Sequence, residues 1–119
     1  MEKAALGKLG EDFACRYLLE NGMKVLEHNF RAGKGEIDVI ARDRQCIVFI
    51  EVKTRSNALY GSPGEAVTLR KQKMIIQTAV RYMSQNGLLD CEARFDVAEV
   101  YRDGKTLRIN YIKDAFGIE

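Results

Sequence analysis

Apolar positions in the first part of the chain recur at helical spacing and predict a helix over residues 3–21. The larger apolar side chains share one stripe of this helix: Leu6, Leu9, Phe13 and Tyr17. Small residues run beside the stripe and would allow a neighbouring element to approach closely: Gly7, Gly10 and Ala14. Asn21 and Gly22 are expected to end the helix, because both tolerate the left-handed conformation of a C-terminal cap.

Three strands should follow this helix, over residues 23–30, 36–42 and 46–53, with a turn at Gly33 to Gly35. The third contains the run from Ile47 to Ile50, which is apolar on both faces. Such a run is typical of an interior strand that is covered on both sides.

The second half of the chain predicts a helix and a hairpin. A loop over 57–64 holds the single proline, and the helix begins either near Ser62 or with Thr68 as its N-cap, and runs to about residue 85. Strands over 93–101 and 106–112 flank Asp103 and Gly104, a dipeptide favoured in two-residue turns. The order helix, three strands, helix, two strands predicts a single α/β domain over residues 1–119, with helices on a mixed sheet.

Composition excludes several classes of protein. The 119 residues are 46% hydrophobic and 30% charged, which is enough for one packed core and unlike a disordered tail. No apolar run approaches the length of a membrane span, and the first residues do not resemble a signal peptide. The three cysteines have no metal-ligand spacing, as expected of small buried groups in a reducing compartment. We therefore expect a soluble cytoplasmic domain with no membrane partner.

Positive charge is concentrated on the second predicted helix, although the net charge is only +2. Residues 66–89 contain no acid, while Arg70, Lys71, Lys73 and Arg81 supply four cations. A basic helix in a nearly neutral protein indicates either a phosphate-binding surface or an ordinary solvated face.

Two acidic residues are predicted to face each other across the second and third strands. If Arg44 and Gln45 form the turn, opposed positions have numbers that sum to 89, which pairs Asp38 with Glu51. The same register would pair Glu36 with Lys53. Like charges opposed in a sheet cost stability and raise a pKa, so a function is expected of them.

Binding of a divalent cation is the simplest such function, because Mg²⁺ is commonly held by one or two carboxylates plus water and phosphate oxygens. Lys53 is on the same strand face as Glu51 and could stabilise charge on a phosphate or orient an attacking water. This arrangement indicates metal-assisted phosphodiester hydrolysis. The alternative is a surface cluster in which Lys53 pairs with Glu36 or Glu51.

Gln72 is polar but falls on the predicted core-facing side of the second helix. That arc contains Leu69, Ile76, Ala79, Val80 and Met83. The amide either satisfies a buried backbone group or points into the site. Asp96 is expected inside its strand, with a structural role favoured over a catalytic one, and His28 is expected to pack or to lie at the surface.

The combination of Asp38 with Glu51, Val52 and Lys53 resembles the PD-(D/E)xK signature of restriction-endonuclease-like nucleases, with Ile37 in place of the proline. Longer stretches are similar to the YraN-type family of bacterial proteins over nearly the whole chain: GEDFACRYL, GEIDVIARD, FIEVKTRS, GSPGEAVTLRKQ, RFDVAEV and IKDAF. That family is similar to archaeal Holliday-junction resolvases. The resemblance implies an αβββαβ core with a mixed central sheet flanked by helices. The second strand of the predicted hairpin is an extra C-terminal strand beyond that core.

The resemblance also implies roles for individual residues. Asp38 and Glu51 would be metal ligands for Mg²⁺ or Mn²⁺, together with Glu11 and the Val52 carbonyl. Lys53 would be the catalytic lysine.

In the same resemblance Gln72 matches a polar position that several branches of the superfamily use near the active site. From their charge and position we expect Arg55, Arg70, Lys71 and Lys73 to contact nucleic acid, with DNA expected rather than RNA. The expected function is a metal-dependent endonuclease for DNA, including branched or structured DNA, and a homodimer could cut two strands. The alternative is a non-catalytic nucleic-acid-binding module, or an accessory module that depends on a partner.

Overall fold

The computed structural model describes residues 2–56 and 67–117, which form two helices and five strands. In chain order these are α1 (Lys3–Glu20), β1 (Lys24–Ala32), β2 (Gly35–Asp43), β3 (Cys46–Arg55), α2 (Leu69–Gln85), β4 (Glu92–Asp103) and β5 (Thr106–Phe116). The predicted order of elements is confirmed. The loop over 57–64 and the helix start at Ser62 lie outside the described residues, and α2 begins after Thr68, the other predicted cap.

The five strands form one mixed sheet in the order β1-β2-β3-β4-β5. All neighbouring strands are antiparallel except β3 and β4, which are parallel and are connected through α2. Helix α1 packs on one face of the sheet and α2 on the other, and β3 is the middle strand of the five. Neither helix is both long and apolar enough to cross a membrane.

Strand β3 supplies the centre of both halves of the core. Ile47 and Phe49 belong to the cluster under α2, whereas Val48 and Ile50 belong to the cluster under α1. None of the four side chains is more than 1% exposed. The prediction of an interior strand covered on both sides is confirmed, because side chains of a strand alternate between the two faces.

The buried face of α1 is not the predicted one. Gly10, Ala14 and Leu18 are buried, while the larger residues of the predicted stripe are only half-buried. A Cβ at Gly10 would overlap the side chain of Thr54 on β3. The close approach predicted for the small residues is confirmed at Gly10, where the helix backbone lies too close to β3 for a larger side chain. Leu18 is buried on the same face, two turns further along the helix.

The buried face of α2 is also rotated from the prediction, by roughly a quarter of a turn. Ile75, Ala79 and Tyr82 now lie near the centre of the buried face. Leu69 and Val80, which were expected in the core, are 66% and 48% exposed. The aromatic ring of Tyr82 contacts the rings of the sheet and selects this orientation.

The predicted register of β2 and β3 is confirmed from Val39 with Ile50 to Asp43 with Cys46, around a turn at Arg44 and Gln45. The turn between β4 and β5 is shifted by one residue from the prediction. Asp103 pairs with Thr106, so the turn residues are Gly104, with φ of +63°, and Lys105.

Candidate active site

The candidate site lies where β2 and β3 separate, just beyond the pair of Val39 and Ile50. Here Asp38 leaves the ladder, and its Oδ2 accepts a hydrogen bond of 2.8 Å from the backbone N–H of Val52. The side chain thus takes the place of a strand carbonyl. This bond holds the Asp38 carboxyl beside the segment that carries Glu51.

Glu51 is the most strongly perturbed acid of the site, and its side chain is only 10% exposed. Burial, then hydrogen bonding with Asp38, then the charge of Asp38 raise the pKa of Glu51 to about 8. Lys71 opposes this increase, with its Nζ 3.3 Å from Glu51 Oε2. The Glu51 carboxyl is therefore expected to keep its proton at neutral pH, because a second negative charge beside Asp38 and away from solvent is unfavourable.

A cleft of about 260 Å³ opens beside this pair, between β3 and the start of α2. Its lining includes Glu51, Lys53 and Lys71, together with Val52, Val67 and Thr68. The Thr68 hydroxyl accepts a hydrogen bond of 3.2 Å from the backbone N–H of Lys71 and caps the helix. The first turn of α2, whose end carries partial positive charge, thus borders the cleft.

Glu11 lies on α1, apart from this cleft. Burial and the charge of Asp38 raise the pKa of Glu11, which shows that the two carboxyls are near enough to interact. Glu11 itself lines a second groove, with His28 and Asn29. Within residues 2–56 and 67–117 no three His, Cys, Asp or Glu side chains are grouped so that they could hold a metal ion. The structure therefore brings together two of the three expected carboxylate ligands, Asp38 and Glu51.

The Gln72 amide binds a backbone group and does not point into the carboxylate cleft. Its Nε2 donates a hydrogen bond of 2.8 Å to the carbonyl of Val67. The side chain lines a groove with Leu69, Ile76 and Phe116, separate from the cleft of the carboxylates. Its connection to that cleft is indirect, through Val67, which is part of the cleft wall.

The expected pairing of Glu36 with Lys53 is wrong. The β2–β3 ladder ends before this position, and the Glu36 carboxylate instead lies 3.6 Å from the Nε of Arg31 on β1. Strand β1 competes for Glu36 because it stays paired with β2 after β3 has separated.

The four predicted contacts for nucleic acid occupy different surroundings. Lys71 pairs with Glu51 inside the cleft. Arg70 and Lys73 are exposed on α2, and Lys73 lines the same groove as Gln72. Arg55 is half-buried at the end of β3, in register with Tyr101 of β4.

Comparison with known proteins places the chain in a family. The model of "Uncharacterised protein family UPF0102" matches residues 10–100. The chain belongs to this family. A UPF0102 protein of Trichlorobacter lovleyi is 48% identical, over 96% of this chain and 91% of its own length. One from Clostridioides difficile is 47% identical, over 98% and 100%. The YraN-type resemblance found in the sequence is thereby confirmed.

A solved structure, Pyrococcus furiosus SfsA in complex with Ca²⁺, is similar to the UPF0102 chain at a TM-score of 0.44 and 14% identity. The match covers 98% of this chain and 66% of the SfsA chain. Similarity at this level supports no inference about function.

Strand β4 of the UPF0102 chain carries two buried acids, Asp96 and Glu99. Asp96 is fully buried and accepts hydrogen bonds from Arg94, from the Tyr111 hydroxyl and from the Asp114 N–H. These bonds satisfy its oxygens in a structural role, as the sequence favoured.

Glu99 is 2% exposed and accepts a hydrogen bond of 2.8 Å from Asn110. Sequence reasoning did not single it out. The burial of Glu99 could have been predicted from the apolar residues that share its strand face, namely Phe95, Val97 and Tyr101.

Proposed function

We propose that the protein is an endonuclease that uses Mg²⁺ or Mn²⁺ to hydrolyse phosphodiester bonds in DNA. The observation that carries this proposal is the pair of Asp38 and Glu51, of which Glu51 is 10% exposed and lines an open cleft together with Lys53 and Lys71. Two carboxyls in such surroundings destabilise the fold when both are ionised. A divalent cation would convert that unfavourable arrangement into a binding site.

The donor set suits a hard cation. Mg²⁺ binds through one or two carboxylates and completes its shell with water and substrate phosphate oxygens, so a third protein carboxylate is not required. Asp38 and Glu51 would hold the ion, with the Val52 carbonyl and Glu11 as further candidates from the family resemblance. When bound, the ion would act as a Lewis acid toward a phosphate oxygen or water.

The chain's own side chains would position the substrate. Lys53, in the same cleft as Glu51, would orient the attacking water or stabilise negative charge on the phosphate. Lys71 lies 3.3 Å from Glu51 in the free protein and would turn to a phosphate once the carboxylate has another cation beside it. Arg70, Lys73 and Arg55 would contact the DNA backbone, and Gln72 would act by holding Val67 in the cleft wall.

The mixed sheet with one helix on each face is compatible with the restriction-endonuclease-like αβββαβ arrangement, which we propose for this chain. Branched or structured DNA is the first substrate to test, given the similarity of the family to archaeal Holliday-junction resolvases. A homodimer would allow two strands to be cut.

Cleavage of a substrate panel tests the proposal. Duplex, single strand, flap, four-way junction and RNA would each be incubated with Mg²⁺, with Mn²⁺ or with EDTA. Glu51→Gln removes one member of the carboxyl pair, and Glu92→Gln is the matched control at an exposed position. We expect metal-dependent cutting by the wild type and the control, and none by Glu51→Gln. Cutting that persists in Glu51→Gln would refute the assignment of the site.

One observation favours a second candidate, a nucleic-acid-binding or partner-dependent module without turnover of its own. Lys71 lies 3.3 Å from Glu51 Oε2 in this structure, so the acid has a partner without any metal. This candidate predicts that wild type and Glu51→Gln bind DNA equally and that neither cuts it. Cleavage restored by a cell extract would indicate the partner-dependent form.

A further inference from the structure

The turn between β1 and β2 and the part of helix α2 beyond its first turn enclose a small groove, which we call the turn groove. It has a volume of about 110 Å³, and its lining includes Gly33, Lys34, Gln77 and Arg81. Lys34 and Arg81 are both exposed. Among the residues that the structure describes, no carboxylate lines this groove, whose remaining lining residues are Ala32, Gly35, Met74 and Thr78.

The turn groove exists because the turn and the helix approach each other closely. A Cβ at Gly35 would overlap the side chain of Thr78, and the Thr78 hydroxyl donates to the Met74 carbonyl at 2.8 Å. Gly33 has a φ of +59°, which few other residues adopt. A Cβ built there would lie 3.5 Å from Nη1 of Arg81, so the guanidinium rests against the backbone of the turn.

Neither Lys34 nor Arg81 is neutralised by an acid of the helix or strands on which it is carried. Residues 66–89 contain no acid, so α2 offers Arg81 no carboxylate. Glu36 follows the turn on β2, but it pairs with Arg31 at 3.6 Å. The turn groove is therefore a concave and locally positive surface, with a guanidinium, an ammonium and exposed backbone in one place.

We propose that the turn groove is a phosphate-binding subsite for nucleic acid. This inference rests on the proposed function, since it extends the path of the substrate away from the carboxylate cleft. Arg81 follows Lys71 by ten residues on α2, which corresponds to about 15 Å along the helix axis. For a duplex whose axis runs parallel to α2, the rise of about 3.4 Å per nucleotide would place the turn groove at a phosphate about four nucleotides from the cleft.

The test measures binding rather than cleavage. A fluorescent 20-base-pair duplex would be titrated by anisotropy in EDTA over a range of KCl concentrations. The variant Lys34→Gln/Arg81→Gln removes both cations of the turn groove. The control Lys105→Gln/Arg16→Gln also removes one exposed lysine from a two-residue turn and one exposed arginine from a helix, but neither residue lines the turn groove. Thermal unfolding would verify that both variants remain folded.

Each lost phosphate contact lowers the dependence of log K on log salt by about 0.9, and thus weakens binding about 8-fold at 0.1 M salt. We therefore expect the slope to fall by about 1.8 in the turn-groove variant and to stay unchanged in the control. Equal slopes in the two variants, or a wild type that binds no nucleic acid, would overturn the subsite. A reduced slope in a protein that never cuts would leave the subsite intact and refute the proposed nuclease.

Discussion

The metal-free protein should lose stability as the pH rises, because of the Glu51 carboxyl. Its pKa is raised from 4.5 to about 8 in the fold. The folded state therefore holds this proton more tightly than the unfolded chain does. The stabilisation is fully present below about pH 4.5 and is lost as the pH rises through about 8.

The size of the effect follows from the same numbers. A pKa that rises from 4.5 to about 8 corresponds to roughly 5 kcal/mol between the protonated and ionised forms. Solvent screening reduces this free energy only slightly, since the Glu51 side chain is 10% exposed. The neighbouring charges of Asp38 and Lys71 contribute to this shift in opposite directions, so we expect about 2–4 kcal/mol at Glu51 itself.

The variant Glu51→Gln isolates this contribution because an amide does not ionise. Urea and thermal unfolding would be measured with EDTA from about pH 5 to about pH 9. Near pH 5 the two proteins should differ by less than about 1 kcal/mol, whereas near pH 9 the variant should be about 2–4 kcal/mol more stable. That difference corresponds to roughly 8–16 °C in Tm for a domain of this size.

Two controls make the result decisive. Glu92→Gln, at an exposed carboxylate, should keep the same offset from the wild type at every pH. Excess Mg²⁺ should reduce the difference in stability between Glu51→Gln and the wild type near pH 9. The cation stabilises the wild type by binding its ionised Glu51 carboxylate, which the variant lacks. A stability difference that does not change with pH would refute the reasoning about the buried pair.

Three further predictions concern packing and hydrogen bonding. Gly10→Ala should destabilise the protein by about 1–3 kcal/mol, because a Cβ there overlaps β3. Gly7→Ala should instead stabilise it by up to about 1 kcal/mol, because no atom lies within 4 Å of the new Cβ. The opposite order of stabilities in urea unfolding would contradict the packing of α1. Asp96→Asn should cost about 1–3 kcal/mol, since Arg94 loses the fully buried one of its two carboxylate partners and keeps Asp43, and a loss below about 0.5 kcal/mol would show that this network is dispensable. Gln72→Leu should cost about 1–3 kcal/mol by leaving a backbone carbonyl without its donor, and cleavage at saturating DNA should fall by less than about 10-fold; a much larger fall at full folding would indicate direct catalysis by the amide.

The sequence was sufficient for those features that depend on neighbours along the chain. The apolar run from Ile47 to Ile50 predicted the middle strand because a strand covered on both faces has no polar alternation. The two-residue turn at Arg44 set the register that brings Asp38 toward Glu51. Thr68 could be recognised as a cap because its hydroxyl bonds within its own helix turn.

The sequence failed where several faces of one element were equally apolar. On α1 the larger side chains formed the better stripe, yet the small residues became the contact line, because the gain from close backbone packing against β3 depends on the partner strand. On α2 the position of Tyr82 among the aromatic rings of the sheet chose the buried face. Neither partner can be identified from the periodicity of the helix alone.

The sequence by itself thus determined the order of elements, the central strand and the candidate carboxylates, because these follow from local spacing and residue chemistry. Only the tertiary structure decided that β3 and β4 run parallel, that Asp38 bonds to Val52, and that Lys71 meets Glu51. Those contacts join residues far apart along the chain, and each depends on how the helices settle on the sheet. The raised pKa of Glu51 arises from that burial, which no single segment encodes.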